Sequence, residues 1–180
     1  KNILEYYTIE IEVNLNQFGY PINAASQKTS PLAVDFDGDG ADEIIFGNYN
    51  GVIHMLNLDG SEVEDDTFPF DTGDQIWSSL AGGDIDQDSD FDIVVTSKSE
   101  HIFILDNNGL KLDYHAGDYL LGTPALGNLD DDEDLEIVFG SFASNNAKLY
   151  AINVDGSNVD GFPLVIDEKM QKGIALADFN

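Results

Sequence analysis

Asp35-Phe36-Asp37-Gly38-Asp39-Gly40-Ala41-Asp42-Glu43, running into Ile44-Ile45-Phe46-Gly47, decides the fold, because the chain writes this pattern three times and opens it a fourth. The second copy is Asp84-Ile85-Asp86-Gln87-Asp88-Ser89-Asp90-Phe91-Asp92, ahead of Ile93-Val94-Val95. The third is Asn128-Leu129-Asp130-Asp131-Asp132-Glu133-Asp134-Leu135-Glu136, ahead of Ile137-Val138-Phe139-Gly140. Asp178-Phe179-Asn180 begins the fourth. The copies start at residues 35, 84, 128 and 178, a period of 44 to 50 residues, which is the scale of a structural repeat. Oxygen ligands at positions one, three, five and nine of a tight loop suit a hard cation, calcium above all.

Working outward, each loop has a short apolar segment before it: Pro31–Val34, Leu80–Gly83, Pro124–Gly127 and Ile174–Ala177. The residue just before the loop is Val34, Gly83, Gly127 or Ala177, mostly small, as strands converging on an axis require. After the loop, Ile, Val and Phe runs predict a second strand over Glu43–Phe46, Asp92–Thr96 and Glu136–Phe139. A third follows over Val52–Leu58, His101–Asp106 and Lys148–Val154. Asn50-Gly51 supplies a hairpin turn between strands two and three of the first copy. Asp59-Gly60, Asn108-Gly109 and Asp155-Gly156 close the third strands. A weaker fourth strand passes an aromatic-proline step, Phe68-Pro69 or Phe162-Pro163, echoed by Tyr20-Pro21; proline suits an outer edge. The alternating stretch Thr8–Leu15 reads as an outer strand of a preceding unit.

Four short antiparallel strands at this period are the blades of a β-propeller. The predicted fold is therefore all-β: a partial propeller of three full four-stranded antiparallel blades with a partial one on each side. The repeats fall at approximately 1–30 (partial), 31–78, 79–122, 123–172 and 173–180 (partial). Strand edges left open at both ends predict that these residues sit within a longer propeller or close against a partner chain.

Charge excludes several functions. Net charge is −28, from 35 acids against seven lysines, with no arginine. Of those acids, 17 lie in the three loop windows and at Asp178, so the rest of the surface is acidic too. Such a chain repels nucleic acid and anionic membranes, and no run is long enough to insert in a bilayer. The chain has no cysteine, which removes disulfides, thiolate metal sites and cysteine nucleophiles. The N-terminus, Lys1-Asn2-Ile3-Leu4-Glu5, does not have the form of a signal peptide.

The loops with their flanking strands resemble FG-GAP or VCBS-type repeats, the calcium-loop propeller unit related to the head of integrin α chains. The resemblance runs over roughly residues 19–180. It implies that each loop joins a blade's first and second strands, and that the position-seven carbonyl ligates with the four side chains. The implied sites are Asp35, Asp37, Asp39, Ala41 (carbonyl) and Glu43; Asp84, Asp86, Asp88, Asp90 (carbonyl) and Asp92; and Asn128, Asp130, Asp132, Asp134 (carbonyl) and Glu136. That makes about three Ca2+ sites, with Asp178 and Asn180 belonging to an incomplete fourth. Phe46-Gly47 and Phe139-Gly140 keep the family's "FG", but no Gly-Ala-Pro follows. The third site is expected to be weakest. Asn128 is neutral, and Glu133 stands where Gly40 permits a left-handed turn, at a cost on the order of 1 kcal/mol. An EF-hand is excluded, since position twelve is Phe46, Val95 or Phe139 rather than glutamate, and the flanks are strands.

No catalytic residue stands out. His54 aligns with Phe103 and Tyr150 and reads as packing; His101 aligns with Val52 and Lys148; His115 falls in an outer strand. Trp77, the only tryptophan, shares a variable column with Lys28, Leu121 and Gln171. The resemblance places that connection, with Tyr49 and Phe142, on the face opposite the calcium loops. Trp77, Tyr49 and Phe142 form the candidate ligand face. The reading is a non-enzymatic, calcium-stabilised binding or adhesion module of an extracellular or cell-surface protein, prokaryotic in character. Its partner would be an extracellular protein or glycan, or other domains of a longer chain. A polysaccharide-active enzyme or lectin and a passive scaffold are the alternatives.

Overall fold

A computed structural model describes residues 19–23, 26–130 and 132–177. The stretch Thr8–Leu15 and the fourth loop at Asp178 and Asn180 lie outside the described residues. Within them the chain is all-β, with thirteen strands in three antiparallel sheets and no helix. The first sheet runs β1 (Leu32–Val34), β2 (Glu43–Gly47), β3 (Val52–Leu56) and β4 (Phe70–Asp71), each strand beside the next. The second runs β5 (Ala81–Gly83), β6 (Asp92–Thr96), β7 (His101–Asp106) and β8 (Gly109–His115) in the same order. The third runs β10 (Ala125–Gly127), β11 (Glu136–Phe142), β12 (Ala147–Ile152) and β13 (Leu164–Ile166). One strand was not foreseen: β9 (Tyr119–Leu120) pairs with the far end of β11, at Ser141 and Phe142.

One register governs all three sheets. The residue before each loop lies opposite the ninth loop residue: Val34 with Glu43, Gly83 with Asp92, Gly127 with Glu136. Each loop is thereby closed at its base by the first rung of a strand pair. Of the two glycines just before a loop, Gly83 has ordinary room for a Cβ, 3.7 Å from Leu126 Cδ1, and Gly127 does not. A Cβ on Gly127 would stand 2.8 Å from Leu176 Cδ1. At the opposite end a polar side chain seals each second hairpin. Asn48 Oδ1 accepts from the Val52 N–H (3.0 Å), and Ser141 Oγ accepts from the Lys148 N–H (2.9 Å).

Proline marks the outer strands where it was expected: β4 and β13 begin directly after Pro69 and Pro163. The middle sheet departs from this pattern. Without proline, β8 extends to seven residues and folds straight back on β7 through Asn107 and Asn108. A second departure concerns Ile174–Ala177, expected as a first strand, which is not a strand. Each of the other first strands is held by its pairing with the strand after its loop.

The sheets stack face to face, and period-two alternation feeds two cores from one strand. In β6, Ile93 and Val95 pack toward the first sheet with Ile45, Ile53 and Phe68. Val94, between them, packs toward the third sheet with Ile137, Phe139 and Ile152. The middle sheet is thus covered on both sides, which is why all of β6 is buried.

Candidate metal centre

Three acidic loops project from one end of the stacked sheets. In the first, carboxylate oxygens of Asp35, Asp37 and Asp39 lie within 4.8 Å of one another; in the third, those of Asp130, Asp132 and Glu136 do. Oxygens that close can share one ion at calcium's 2.3–2.6 Å bond lengths. The loops hold their shape with their own carboxylates. Asp37 Oδ1 accepts from the Asp39 N–H (3.0 Å), Asp39 Oδ1 from the Ala41 N–H (2.8 Å), and Asp35 Oδ2 from the Gly40 N–H (3.1 Å). Gly38 and Gly40 take left-handed φ of 76° and 93°; Gln87 and Ser89 take 55° and 76° at the same positions of loop two. Glu133 does not adopt this conformation, so loop three turns differently.

The ninth residue anchors each loop to the core. Glu43, Asp92 and Glu136 are all buried. One oxygen of each accepts the N–H of the second loop residue: Phe36 (2.9 Å), Ile85 (2.9 Å) and Leu129. The remaining oxygens decide whether a cation fits. Glu136 Oε1, Asp35 Oδ1 and Asp92 Oδ1 are buried with no hydrogen-bond partner, and of the three only Asp92 Oδ1 has an ammonium, that of Lys111, against it. A buried carboxylate oxygen left unpaired costs free energy, which a divalent cation among hard oxygen donors would relieve. Loops one and three therefore fit calcium on chemistry and geometry alike.

Burial pushes the pKa of Glu43 and Glu136 above the ordinary glutamate value, and the neighbouring aspartates push in the same direction. The folded, metal-free chain thus binds more protons than the unfolded chain just above that value. Its stability should rise as pH falls through the raised values of these two groups toward the ordinary glutamate value. Calcium binding requires the ionised carboxylates, so the calcium-dependent gain should shrink over the same interval. Melting curves against pH, in chelator and in calcium, check both slopes.

Loop two differs. Its carboxylates split into two clusters, Asp84 with Asp86 and Asp92, and Asp88 with Asp90 and Asp106. Between them lies the ammonium of Lys111, which reaches in from β8. It stands 3.1 Å from Asp86 Oδ1, 3.0 Å from Asp88 Oδ2, 2.9 Å from Asp92 Oδ1 and 3.6 Å from Asp106 Oδ2. Neither Lys111 nor Asp106 was foreseen. The available signal was a lysine in the one outer strand that lacks the aromatic-proline step.

At the hairpin end, opposite the loops, Tyr49 and Trp77 stack with centroids 6.1 Å apart. Lys28 Nζ lies 3.5 Å from the Trp77 centroid and 4.8 Å from that of Tyr49; Lys98 Nζ lies 5.6 Å from Trp77 and 5.3 Å from Tyr119. Phe142 does not join this stack but pairs with Lys169, 4.9 Å from its ring. The histidines have carboxylate partners that sequence reading did not supply: His54 with Glu62, His101 with Asp113, and His115 with Glu100. Asn48 Nδ2, 2.8 Å from His54 Nε2, donates to it, so His54 keeps its proton on Nδ1 toward Glu62. His54 also stacks on Phe46 at 5.3 Å.

An all-β, propeller-like stack of four-stranded sheets with an acidic loop in each is the class these features define. Residues 35–95, which span the first two loops, match the FG-GAP-like repeat. No curated protein sequence matches the chain. Among solved structures, BBS1N, crystallised in complex with ARL6DN and soaked with lead, is similar with a TM-score of 0.58 at 10% identity. The match covers 82% of this chain and 43% of BBS1N, so the chain spans less than half of that relative. The computationally designed Ika4 protein gives a TM-score of 0.55 at 10% identity, over 92% of this chain and 89% of Ika4. The V. cholerae biofilm matrix protein Bap1 gives 0.40 at 19% identity, over 77% of this chain and 28% of Bap1. At these identities the first two likenesses speak to the fold alone. No helix among the described residues is long and apolar enough to cross a membrane.

Proposed function

We propose that the chain is part of a calcium-stabilised β-propeller, a non-enzymatic module for binding or adhesion at the cell surface or outside the cell. The three sheets are three whole blades, within repeats 31–78, 79–122 and 123–172. Calcium is structural: it ties each loop to the first rung of its sheet. The observation that carries this reading is the pair of buried, unpartnered oxygens, Asp35 Oδ1 and Glu136 Oε1, within clusters of converging carboxylates. Extracellular calcium modules commonly bind at about 10⁻⁴–10⁻³ M, a range that millimolar calcium saturates, and this supports an extracellular site of action.

The ligand is an extracellular glycan or protein, held on the hairpin-end face by Trp77 and Tyr49. Three of the seven lysines, Lys28, Lys98 and Lys169, lie over aromatic rings there, so this face offers cations and ring faces on an otherwise acidic chain. Trp77, as the only tryptophan, reports on it directly. In calcium buffer, a ligand found by glycan-array or surface-protein binding should shift Trp77 emission. Trp77→Ala should then weaken binding by about tenfold, equivalent to about 1.4 kcal/mol. Undiminished binding after Trp77→Ala, Tyr49→Ala and Phe142→Ala would move the binding role elsewhere and favour a passive scaffold.

A further inference from the structure

Lys111 is built into its position by the backbone. In the β7–β8 pair, Ile104 lies opposite Leu112 and Leu105 opposite Leu110, so Lys111 is the extra residue of a bulge. A bulge re-aims the side chain it carries. This one sends the lysine stem over the sheet edge into loop two, which begins 27 positions earlier in the chain at Asp84. The ammonium has three N–H donors, and three carboxylate oxygens stand within 2.9–3.1 Å of it. The fourth carboxylate, of Asp106, comes from the end of β7.

The three loops show the consequence side by side. In loops one and three, buried carboxylate oxygens have no partner. In loop two the oxygen equivalent to Glu136 Oε1 is Asp92 Oδ1; it too is buried without a hydrogen bond of good geometry, but here an ammonium faces it at 2.9 Å as an ion pair, which neither other loop has among the described residues. A lysine ammonium is charged at neutral pH, and this one is surrounded by the carboxylates of Asp92, Asp88 and Asp86. An ion bound by these same oxygens would stand next to the ammonium and be repelled by it. Calcium and Lys111 therefore exclude one another from loop two.

We propose that Lys111 is the resident cation of loop two, so that this loop is locked without calcium and the metal serves loops one and three only. This refines the calcium reading above for one of its sites, and the two can fail separately. The test is calorimetric titration of calcium into the metal-stripped 180-residue chain and into its Lys111→Met variant, which keeps the stem and removes the charge. The variant should bind one calcium more than the unmodified chain. It should melt lower than the unmodified chain in chelator and recover in calcium. Equal stoichiometry in the two proteins would overturn the proposal, as would a lysine chain that already fills loop two. An unmodified chain that binds no calcium, with a variant that binds one, would uphold this inference while removing the reading for loops one and three. A measurement on the unmodified chain covers the case of a variant that does not fold: acetylation of lysines, read by mass spectrometry. Lys111 should label slowly, at a rate calcium leaves unchanged, while the exposed Lys28 labels fast. Faster labelling of Lys111 in calcium would show the ion displacing it and would contradict the proposal.

Discussion

Stripping divalent cations from the chain is expected to lower its melting temperature by about 6–12 °C relative to buffer with calcium at ten times the dissociation constant. Each occupied site then adds roughly 1.4 kcal/mol by mass action, and two such loops about 3 kcal/mol, worth 2–4 °C per kcal/mol in a chain of this size. The direction follows from what the empty loops contain. Asp35, Asp37 and Asp39 converge in one, and Asp130, Asp132 and Glu136 in the other, with no lysine contacting either among the described residues. Their mutual repulsion is greatest when folding brings them together, so the folded state binds the ion and the unfolded chain does not. The loss should be felt first in β2 and β11, because Glu43 and Glu136 begin those strands and also hold the loops. Superimposable melting curves in chelator and in calcium would contradict this.

Phe139→Ala is the single substitution expected to cost most, about 3–5 kcal/mol, in a fold whose total stability is of the order of 5–15 kcal/mol. Phe139 is fully buried between the second and third sheets. Its ring stacks on Tyr150 with centroids 4.8 Å apart and planes 4° from parallel, and the edge of Tyr114 meets it at 6.1 Å. Truncation removes the apolar surface of the ring and leaves a cavity walled by strands of two sheets, which cannot collapse without breaking their ladders. Because the residue lies in the core rather than at a loop, calcium should not restore the lost stability. Denaturant unfolding with and without calcium checks the size of the loss and its independence from the metal.

These two predictions draw on the part of the molecule that was most legible in its sequence. The repeated loop sets the register. Once position nine is the first residue of a strand and the residue before position one is the last of another, the rung Val34–Glu43 and its two counterparts follow. The β-branched runs then had to be the buried second strands. What escaped the sequence depends on which strands meet rather than on what each contains. Lys111 enters loop two only because β8 carries a bulge, and a bulge is a property of the pair it forms with β7. His54 and Glu62 meet because the turn after β3 brings Glu62 back against Leu56, a single isolated rung at the end of β3. The strand expected at Ile174–Ala177 failed for the same kind of reason. Its apolar residues fit the pattern, but a strand needs a neighbour, and the pattern does not say whether one is present.

The most direct test of the calcium reading is diffraction from crystals grown in millimolar calcium. The account predicts an ion in loop one within about 2.3–2.6 Å of oxygens from Asp35, Asp37, Asp39 and Glu43, and a second in loop three on Asp130, Asp132 and Glu136. Loops holding only water at that calcium concentration, with Asp35 and Glu136 satisfied by hydrogen bonds instead, would contradict it.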